Sequence, residues 1–455
     1  MTNRYQSVLR RDCRLESAAE NLKSEYHSAL EQIAANVIAP VLNAYVRWIL
    51  QEAEKRGISK LLFLARDGWI PFQILENICK QEHIAIPCDY FFCSRFSLRM
   101  ATYWMHDNDA YEKLFLRAYR VSAKNLLKRA DFSARERSFV YHEIKFHPER
   151  EDERMSRAEF SVFCDSVRQS DCFQEILYRK SHAAYAETAE YFRQNLAENF
   201  SKIGIVDIGW TGSLQASFKR ILESVGVQSS VTGFYMGLLE PPPVRNGSEY
   251  APWLFSWRDN FLKAWFSHNL MECVCSAPHG MTIGYQREGK RIRPVFAPSE
   301  NNPSYSERIR NVCVEFSSAS PFVYQPEHRK IALRLLKNLM FRPSEREAAA
   351  FLKYRFCDDT AEQYHDALVR AASPREFRKA LFPCILSDPD AANAFYWYYG
   401  SLQVSRMRCK TFYRYSHLLT RFLILQWKRI ISPDTVLNER YGHANSHSYR
   451  YHVRL

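Results

Sequence analysis

The sequence predicts an α/β fold in which helices cover both faces of a parallel sheet. Three observations support this prediction. Unbroken apolar runs of strand length alternate with helical patterns, glycine-containing turns follow two of these runs, and polar residues gather at the turns. Ligands bind such sheets outside the carboxyl ends of the strands. The polar turns therefore predict a functional site at that edge.

The composition is that of a large globular protein with excess positive charge. The 455 residues are 46% hydrophobic, which suits two or three structural units. The net charge of +13 suits an anionic membrane surface or a phosphorylated substrate, and a solvated basic surface that binds nothing in particular is a common alternative; no motif indicates nucleic acid. The twelve cysteines form no C-x-x-C pair, so no metal ligands are predicted. Neither a signal peptide nor an apolar run of membrane-spanning length is found, and we expect a cytoplasmic protein.

The first elements follow from the hydrophobic period. Apolar residues at helical spacing predict a helix over 17–56, which Pro40 is expected to kink or split and Gly57 to cap. The apolar run 61–65 predicts the first strand, and helical spacing returns from Trp69.

Three more strands and a helical insertion complete the expected sheet. The strands are predicted over 90–93, 202–207 and 230–238. The span 105–200 is charged, helical in pattern and free of glycine, which predicts a helical insertion. A further helix is predicted over 259–276.

The remaining chain predicts a hairpin and then helices. The hairpin spans 281–296 and turns at 288–290, residues 297–320 are expected to be rich in loops, and helices follow from about 326. The expected domains are an N-terminal helical segment packing on the core (1–57), an α/β core with its insertion at about 105–200 (58–296), and a mostly helical C-terminal domain (297–455).

The turn after the first predicted strand carries Arg66, Asp67 and Gly68. Glycine lets the backbone turn sharply, and the following helix directs its positive end at the same place. Arg66 adds a guanidinium suited to phosphate oxygens. In the alternative, which this motif supports about equally, Asp67 caps the helix and Arg66 lies on the surface.

The turn after the third predicted strand combines an acid, glycines and hydroxyls. Gly209, Thr211, Gly212 and Ser213 offer backbone N–H and hydroxyl groups at a helix start, which suits a terminal phosphate. Asp207 ends a buried strand, where an unpaired carboxylate is costly, and we expect it to accept from sugar hydroxyls or hold a metal-bound water. The alternative is a capped helix after a turn aspartate.

Ser94 and Arg95 follow the second predicted strand. If the first two strands are neighbours, Arg95 lies near Arg66, and a pyrophosphate between them relieves their repulsion. A surface position for Arg95 is nearly as well supported. Glu272 and His279, before and within the loop that leads to the hairpin, are placed to contact an acceptor hydroxyl, although a lone loop histidine is more often structural.

The C-terminal segment 407–431 mixes aromatic and aliphatic side chains with basic residues. A basic amphipathic helix with tryptophan can lie on a membrane surface, which predicts a peripheral position at the inner membrane face. The alternative, a packed terminal helix, is slightly better supported by the sequence.

The three turns in this order resemble those of type I phosphoribosyltransferases. Residues 66–68 resemble the family's pyrophosphate loop, and 207–213 resemble its signature for phosphoribosyl pyrophosphate (PRPP). The chain is more similar to a bacterial group, the glycan phosphoribosyltransferases, which are often described only as HAD-hydrolase-like. The resemblance covers roughly residues 20–290 and implies a parallel sheet of the type I phosphoribosyltransferase kind. Ile208 departs from it, because the signature usually has a second acid there.

The resemblance implies transfer of ribose 5-phosphate from PRPP to a glycan acceptor of a surface polysaccharide, capsule or O-antigen. Mg²⁺ enters mainly with PRPP, the acceptor is lipid-linked, and a HAD-type phosphatase partner removes the 5-phosphate afterwards. The implied catalytic residues are Asp207, Arg66 and Arg95. The implied substrate-binding residues are Asp67, Gly68, Ser94, Gly209, Thr211, Gly212, Ser213 and Glu272.

Three other functions stay open on the sequence. A HAD phosphatase needs an Asp-x-Asp pair directly after a buried strand; 107–109 follows no predicted strand, and 388–390 has a proline between its acids. A non-catalytic assembly protein that binds a phosphorylated ligand is kept open by Ile208. A nucleotide-sugar glycosyltransferase needs a well-placed acid pair, which the sequence lacks.

Overall fold

The fold is organised around a five-stranded, all-parallel sheet, seen here in a computed structural model. The structure describes residues 3–106, 108–117, 121–196, 200–244, 246–299, 302–357, 359, 361–362, 365–381 and 394–431. The strands lie in the order β2-β1-β3-β4-β5. They are β1 (Lys60–Leu64), β2 (Cys88–Phe91), β3 (Lys202–Asp207), β4 (Ser230–Gly237) and β5 (Ser248–Phe255).

Helices precede, interrupt and follow this sheet. Those up to the third strand are α1 (Asn3–Leu9), α2 (Cys13–Glu25), α3 (Ala29–Ile33), α4 (Ala39–Arg56), α5 (Trp69–Glu82), α6 (Arg95–Met100), α7 (Asn108–Leu114), α8 (Ala123–Lys128), α9 (Ala134–Glu143), α10 (Arg157–Gln169) and α11 (Asp171–Asn195). The later ones are α12 (Ser213–Ser224), α13 (Asn260–Trp265), α14 (His268–Cys275), α15 (Pro303–Ala319), α16 (Pro326–Phe341), α17 (Glu345–Ala349), α18 (Pro374–Leu381), α19 (Tyr398–Val404) and α20 (Lys410–Ile431). Two small antiparallel pairs are β6 (Thr282–Glu288) with β7 (Arg291–Phe296), and β8 (Arg355–Phe356) with β9 (Asp366–Ala367).

The α/β class and four of the five sheet strands are confirmed, and the fifth strand was missed. β5 pairs parallel to β4 at the edge of the sheet, with Pro252 opposite Tyr235. Proline cannot donate to a strand ladder, and an edge strand tolerates it because one side needs no partner. The proline and the mixed polarity of 248–255 hid this strand from a search for apolar runs.

The N-terminal helix breaks earlier than predicted. The chain leaves α2 at Tyr26 and restarts at Ser28, whose side chain forms a capping box with Glu31. Pro40 does not split the helix, because it occupies the second position of α4, directly after a π-helical turn at Ala34–Ile38. Gly57 ends α4 in the left-handed conformation, with φ of 64°, as expected for a helix cap.

Among the described residues, one helical stretch, Ala29–Arg56, is long and apolar enough to cross a membrane. Its most apolar window is 89% buried inside the protein. The Tyr45 hydroxyl on this stretch lies 2.7 Å from the Phe234 carbonyl oxygen and 2.9 Å from that of Asp207. The stretch is therefore packed as a core helix against β3 and β4.

The prediction that residues 297–320 are rich in loops is wrong. Most of it is α15, a 17-residue helix that packs on α4 and α5. Asn302 caps it through the Ser304 N–H and Pro303 begins it, a combination typical of helix starts. Asparagine and proline are common in loops as well as at helix starts. For this reason the composition of the segment predicted loops instead of a helix.

The insertion and the hairpin are confirmed as helical and antiparallel, respectively. Helices α7–α11 occupy the predicted span, and their apolar side chains form a cluster of their own with Phe96 and Met281. A larger cluster joins N-terminal helices, one face of the sheet and C-terminal helices. The first and last parts of the chain thus share one core with the sheet.

Candidate functional site at the carboxyl edge of the sheet

The turns singled out in the sequence meet at one edge of the sheet. β1 lies between β2 and β3, with Phe63 opposite Val206 and Leu64 opposite Phe91. Because all three strands are parallel, the turns that follow them emerge side by side. The condition set for Arg95 to lie near the first turn, neighbouring β1 and β2, is therefore fulfilled.

The first turn packs so tightly that its third position requires glycine. The Gly68 N–H donates to the Leu64 carbonyl at 2.8 Å, and a Cβ on Gly68 would lie 2.6 Å from that oxygen. Gly68 is also the N-cap residue of α5 and offers no side chain, and the first N–H of the helix, that of Trp69, donates to the Arg66 carbonyl at 3.0 Å. The alternative in which Asp67 caps α5 is therefore wrong.

The Arg66 guanidinium forms an ion pair with Glu362, and its side chain is 34% exposed. Burial lowers the pKa of Arg66, but Glu362 and Asp67 outweigh burial and raise it. Arg66 is thus a partly exposed cation that carboxylates hold at the edge of the cleft.

The second turn also depends on glycine at two positions. Gly209 has φ of 144°, and a Cβ there would lie 2.4 Å from the Gly237 carbonyl oxygen. Gly212 has φ of 67°, and a Cβ there would lie 2.8 Å from the Tyr250 ring. Both positions combine a backbone conformation that favours glycine with a close neighbour.

Thr211 and Ser213 present hydroxyls beside the start of α12. The Thr211 hydroxyl donates to the Ser213 oxygen at 3.0 Å, and Arg99 Nη2 donates to the same oxygen at 3.2 Å. Gly212 is the N-cap residue and offers no side chain, and the first N–H of the helix, that of Ser213, donates instead to the Thr211 hydroxyl at 3.4 Å. The buried Arg99 was not singled out from the sequence, although it lies one helical turn after Arg95.

Three carboxylates, of Asp67, Asp207 and Glu272, lie close enough to interact electrostatically. Burial and then repulsion from Glu272 and Asp207 hold the pKa of Asp67 well above its usual range. Burial raises the pKa of Asp207 to about 7, with a contribution from Glu272, although the Gly209 N–H and Arg95 lower it. Burial also raises the pKa of Glu272. The cluster resists carrying three negative charges.

Glu272 is joined to the second turn by a hydrogen bond. Trp210 Nε1 donates to Glu272 Oε1 at 2.7 Å. Glu272 lies on α14, so this bond ties that helix to the turn after β3. The predicted site residue Glu272 is therefore placed beside Asp207 and Asp67, although it is separated from them by at least 65 positions in sequence.

Ser94 is placed at the site edge but is engaged within the fold. Its buried hydroxyl accepts from the Ser97 N–H at 3.0 Å, capping α6, and donates to the Thr282 carbonyl at 2.6 Å. Arg95, the next residue, is exposed, and no described residue forms an ion pair with it. His279 lies 2.8 Å from the Tyr90 hydroxyl through Nε2, and burial lowers its pKa.

Two residues that sequence reasoning missed also reach the cleft from far along the chain. Glu362 pairs with Arg66 as described, and Arg421 of α20 lies close enough to His268 for its charge to affect that ring. Burial, Arg421 and Arg95 together lower the pKa of His268 to about 3, which keeps its ring neutral. His268 packs against Trp210 with ring centroids 5.8 Å apart. No local pattern marks these residues, because only tertiary packing brings them to the sheet edge.

A cavity of about 650 Å³ adjoins the Arg66–Glu362 pair. Its volume is in the range typical of ligand sites. The walls come from α6, the helical insertion, the hairpin and Glu362; they include Phe96, Lys128, Phe132, Met281, Tyr285 and Glu362. The cavity combines apolar and aromatic surface with charged groups next to the cleft.

Within the described part of the chain, no group of three or more His, Cys, Asp or Glu side chains is arranged to hold a metal ion. Asp107 and 388–390, parts of the two Asp-x-Asp matches, lie outside the described residues. Asp67, Asp207 and Glu272 do not form such a group, but a Mg²⁺ ion that entered with a phosphorylated ligand would relieve their repulsion, and carboxylate oxygens are its usual protein ligands.

Fold and site together define an α/β protein with a mixed cationic and anionic cleft at the carboxyl edge of a parallel sheet. No protein-family model matches the chain, and no curated protein matches it either.

Proposed function

We propose that this chain is a phosphoribosyltransferase, with a sheet of the type I kind, that transfers ribose 5-phosphate from PRPP to a hydroxyl of a glycan. The observation that carries the proposal is the meeting of two glycine-shaped turns, each opening a helix without an N-cap side chain, with Arg66, Arg95 and a carboxylate cluster. Two phosphate-binding places with acids beside them suit a substrate that carries phosphate at one end of a sugar and pyrophosphate at the other.

The donor is held at both ends. The turn 211–213 and the start of α12 bind the 5-phosphate through backbone N–H and hydroxyl groups. Arg66 and Arg95 bind the pyrophosphate together with the start of α5. Arg95, which lacks an ion-pair partner among the described residues, gains one on binding, and Arg66 shifts part of its pairing from Glu362 to the ligand.

Mg²⁺ neutralises pyrophosphate oxygens when it enters with PRPP. The protein contributes at most one or two carboxylate oxygens to such an ion, because Mg²⁺ bound with phosphates keeps few protein ligands. Asp67 and Asp207 are the residues that would hold such an ion, since burial and neighbouring carboxylates raise the pKa of each above its usual value even with Arg66 and Arg95 nearby. In the bound state their charged forms become favourable.

The transfer breaks the bond between C1 of ribose and the pyrophosphate oxygen and forms a bond between C1 and the acceptor oxygen. The pyrophosphate leaves with the bonding electrons, which Arg66 and Arg95 stabilise. Asp207 accepts hydrogen bonds from ribose hydroxyls and holds C1 toward the acceptor. The acceptor hydroxyl proton passes to the Glu272 carboxylate, whose raised pKa makes it a better base than an exposed glutamate.

The cavity beside Arg66 is the space we assign to the acceptor. Aromatic side chains such as Phe132 offer flat apolar faces to sugar rings, and Glu362 at the cavity wall offers a hydrogen-bond acceptor to hydroxyls. A cavity of about 650 Å³ accommodates part of a glycan rather than a nucleobase stacked in a closed slot. The lipid-linked form of the acceptor and the HAD-type phosphatase partner belong to this proposal.

The test is pyrophosphate release from PRPP by the full chain with Mg²⁺ and a panel of lipid-linked glycans. We expect acceptor-dependent release that Asp207→Asn and Arg66→Gln abolish. Matched controls lie away from the site: Asp89→Asn, at the start of β2, and Arg56→Gln, at the end of α4. Release that is absent across the panel, while PRPP still binds, would instead support a non-catalytic binding protein.

A further inference from the structure

The last described helix, α20, has two different faces. Its inner face packs on the protein: the His417 ring stacks on Tyr398 with ring centroids 3.6 Å apart and meets Tyr399 edge-on at 5.2 Å. Helices α13, α18 and α19 form this contact. The helix is therefore held mainly by its inner face. On the other side, Tyr415 packs edge-on against Phe341 and Gln426 accepts from Asn260 at 3.1 Å, while the other large apolar side chains are exposed.

The outer face of α20 is a continuous apolar stripe. Six large side chains, spaced three or four residues apart, are 42% to 73% exposed; they are Phe412, Tyr415, Leu419, Leu423, Trp427 and Ile430. Positions three and four apart share one face of a helix. Phe261 of α13, which is 51% exposed and packs edge-on against Phe422, widens the stripe. The exposed apolar area is on the order of 500 Å², the size of the largest apolar patch on a typical monomer, which is often functional.

The charge of α20 is entirely positive. Over 410–431 the sequence contains three arginines and two lysines and no acid. At the C-terminal end, Lys428 and Arg429 lie near Lys263 of α13; burial and these two cations lower the pKa of Lys263 to about 8, although Asp259 and Glu240 raise it. An apolar stripe with a cationic end is complementary to a surface that has negative charges on its outside and an apolar layer beneath them.

We propose that α20 docks this protein on an anionic lipid surface, with the outer stripe and Phe261 inserted at the headgroup boundary. The 22-residue helix is about 33 Å long and lies flat in this arrangement. Arg421, on the opposite side of the same helix, then stands about 10 Å above the lipid boundary. The cleft that contains His268 and Arg95 is thereby placed next to the membrane surface.

Charge decides between a lipid surface and a second copy of the chain. Self-association through this stripe would bring two helices without acidic residues against each other, and like charges across an interface are unfavourable. Anionic headgroups are complementary to the same helix. The aromatic residues Trp427 and Phe412 at the two ends of the stripe also suit the boundary between headgroups and acyl chains.

Vesicle flotation of the full chain tests this inference. We expect binding to phosphatidylcholine vesicles that contain phosphatidylglycerol, weaker binding to phosphatidylcholine alone, and at least about tenfold weaker binding by Leu419→Glu combined with Leu423→Glu. The matched control is Phe139→Glu combined with Val162→Glu, two exposed apolar positions on helices α9 and α10. Removing α20 altogether is a poorer test, because its inner face covers buried residues of α19 such as Tyr398 and Tyr399.

Vesicle flotation needs neither PRPP nor an acceptor. Its result therefore does not depend on whether the proposed transfer reaction occurs. Wild-type protein that does not float with anionic vesicles overturns the inference, and so does equal flotation of the Leu419/Leu423 variant. A dimer in lipid-free solution that the same variant dissociates would assign the stripe to a second copy and overturn it as well. Circular dichroism of both variants checks that neither has lost its helices.

Discussion

The cleft is built from two kinds of segment, the turns of the sheet edge and the residues that arrive from the distant C-terminal part. The turns 66–68 and 207–213 follow adjacent parallel strands, so the chain's connectivity alone places them together. Glu362 and Arg421 reach the same cleft only because helices and loops pack there. The first kind of segment supplies the phosphate-binding groups and Asp207 of the proposed chemistry, α14 adds Glu272, and the second kind adjusts the charge of the cleft.

The largest expected effect tests the sheet-edge turns. Asp207→Asn removes the carboxylate that orients ribose, and we expect the rate of pyrophosphate release to fall by about three orders of magnitude. The initial rate with saturating PRPP and acceptor measures this fall. The control Asp89→Asn, at the opposite edge of the sheet, is expected to keep the wild-type rate. A loss of less than about tenfold in the Asp207 variant would remove this residue from the catalytic centre.

The next prediction tests whether the backbone of the second turn, 207–213, requires glycine at position 209. Gly209→Ala puts a Cβ 2.4 Å from the Gly237 carbonyl at φ of 144°, and we expect a loss of about 3 kcal/mol in unfolding free energy. Gly284→Ala is the matched control, because a Cβ there meets nothing within 4 Å. Urea denaturation of both variants measures the difference. Equal stabilities would mean that the turn relaxes freely and does not fix the phosphate site.

The difference between the two kinds of segment also explains how much the sequence could predict. Strand 202–207 followed by an acid, glycines and hydroxyls is a local pattern, and so is 61–65 followed by Arg66, Asp67 and Gly68. Both placed their residues correctly at one sheet edge. β5 was missed because an edge strand can carry Pro252. Glu362 was missed because its pairing with Arg66 spans nearly 300 positions and follows from tertiary packing alone.

The buried carboxyl group of Asp207 at the sheet edge should also affect the free energy of unfolding. The pKa of Asp207 is raised from 3.8 to about 7, so folding favours its protonated form. The cost of ionising it is absent below about pH 4 and grows as pH rises to about 7. We expect Asp207→Asn to unfold with about 2 kcal/mol more free energy than wild type at pH 8 and with little difference at pH 4. Urea titrations at both pH values measure this.

A wild-type protein that is as stable as Asp207→Asn at pH 8 would show that the carboxylate is compensated there, for example by a cation. Repeating the comparison with Mg²⁺ addresses that case. Because Asp67 and Glu272 interact with Asp207, part of the gain is expected to come from relief of their own repulsion.

The smallest expected effect tests Glu362, which reaches the cleft from the C-terminal part of the chain. Glu362→Gln leaves Arg66 without its carboxylate partner, so the guanidinium is fully available to pyrophosphate. We expect pyrophosphate to inhibit this variant about fivefold more strongly, a change of about 1 kcal/mol, with kcat changed less. Product-inhibition kinetics with PRPP as the varied substrate measure it, and the control Glu52→Gln removes a similar ion pair at the end of α4. If inhibition weakens instead, Glu362 holds Arg66 in its binding position rather than competing for it, and the distant segment is as necessary to the site as the sheet-edge turns.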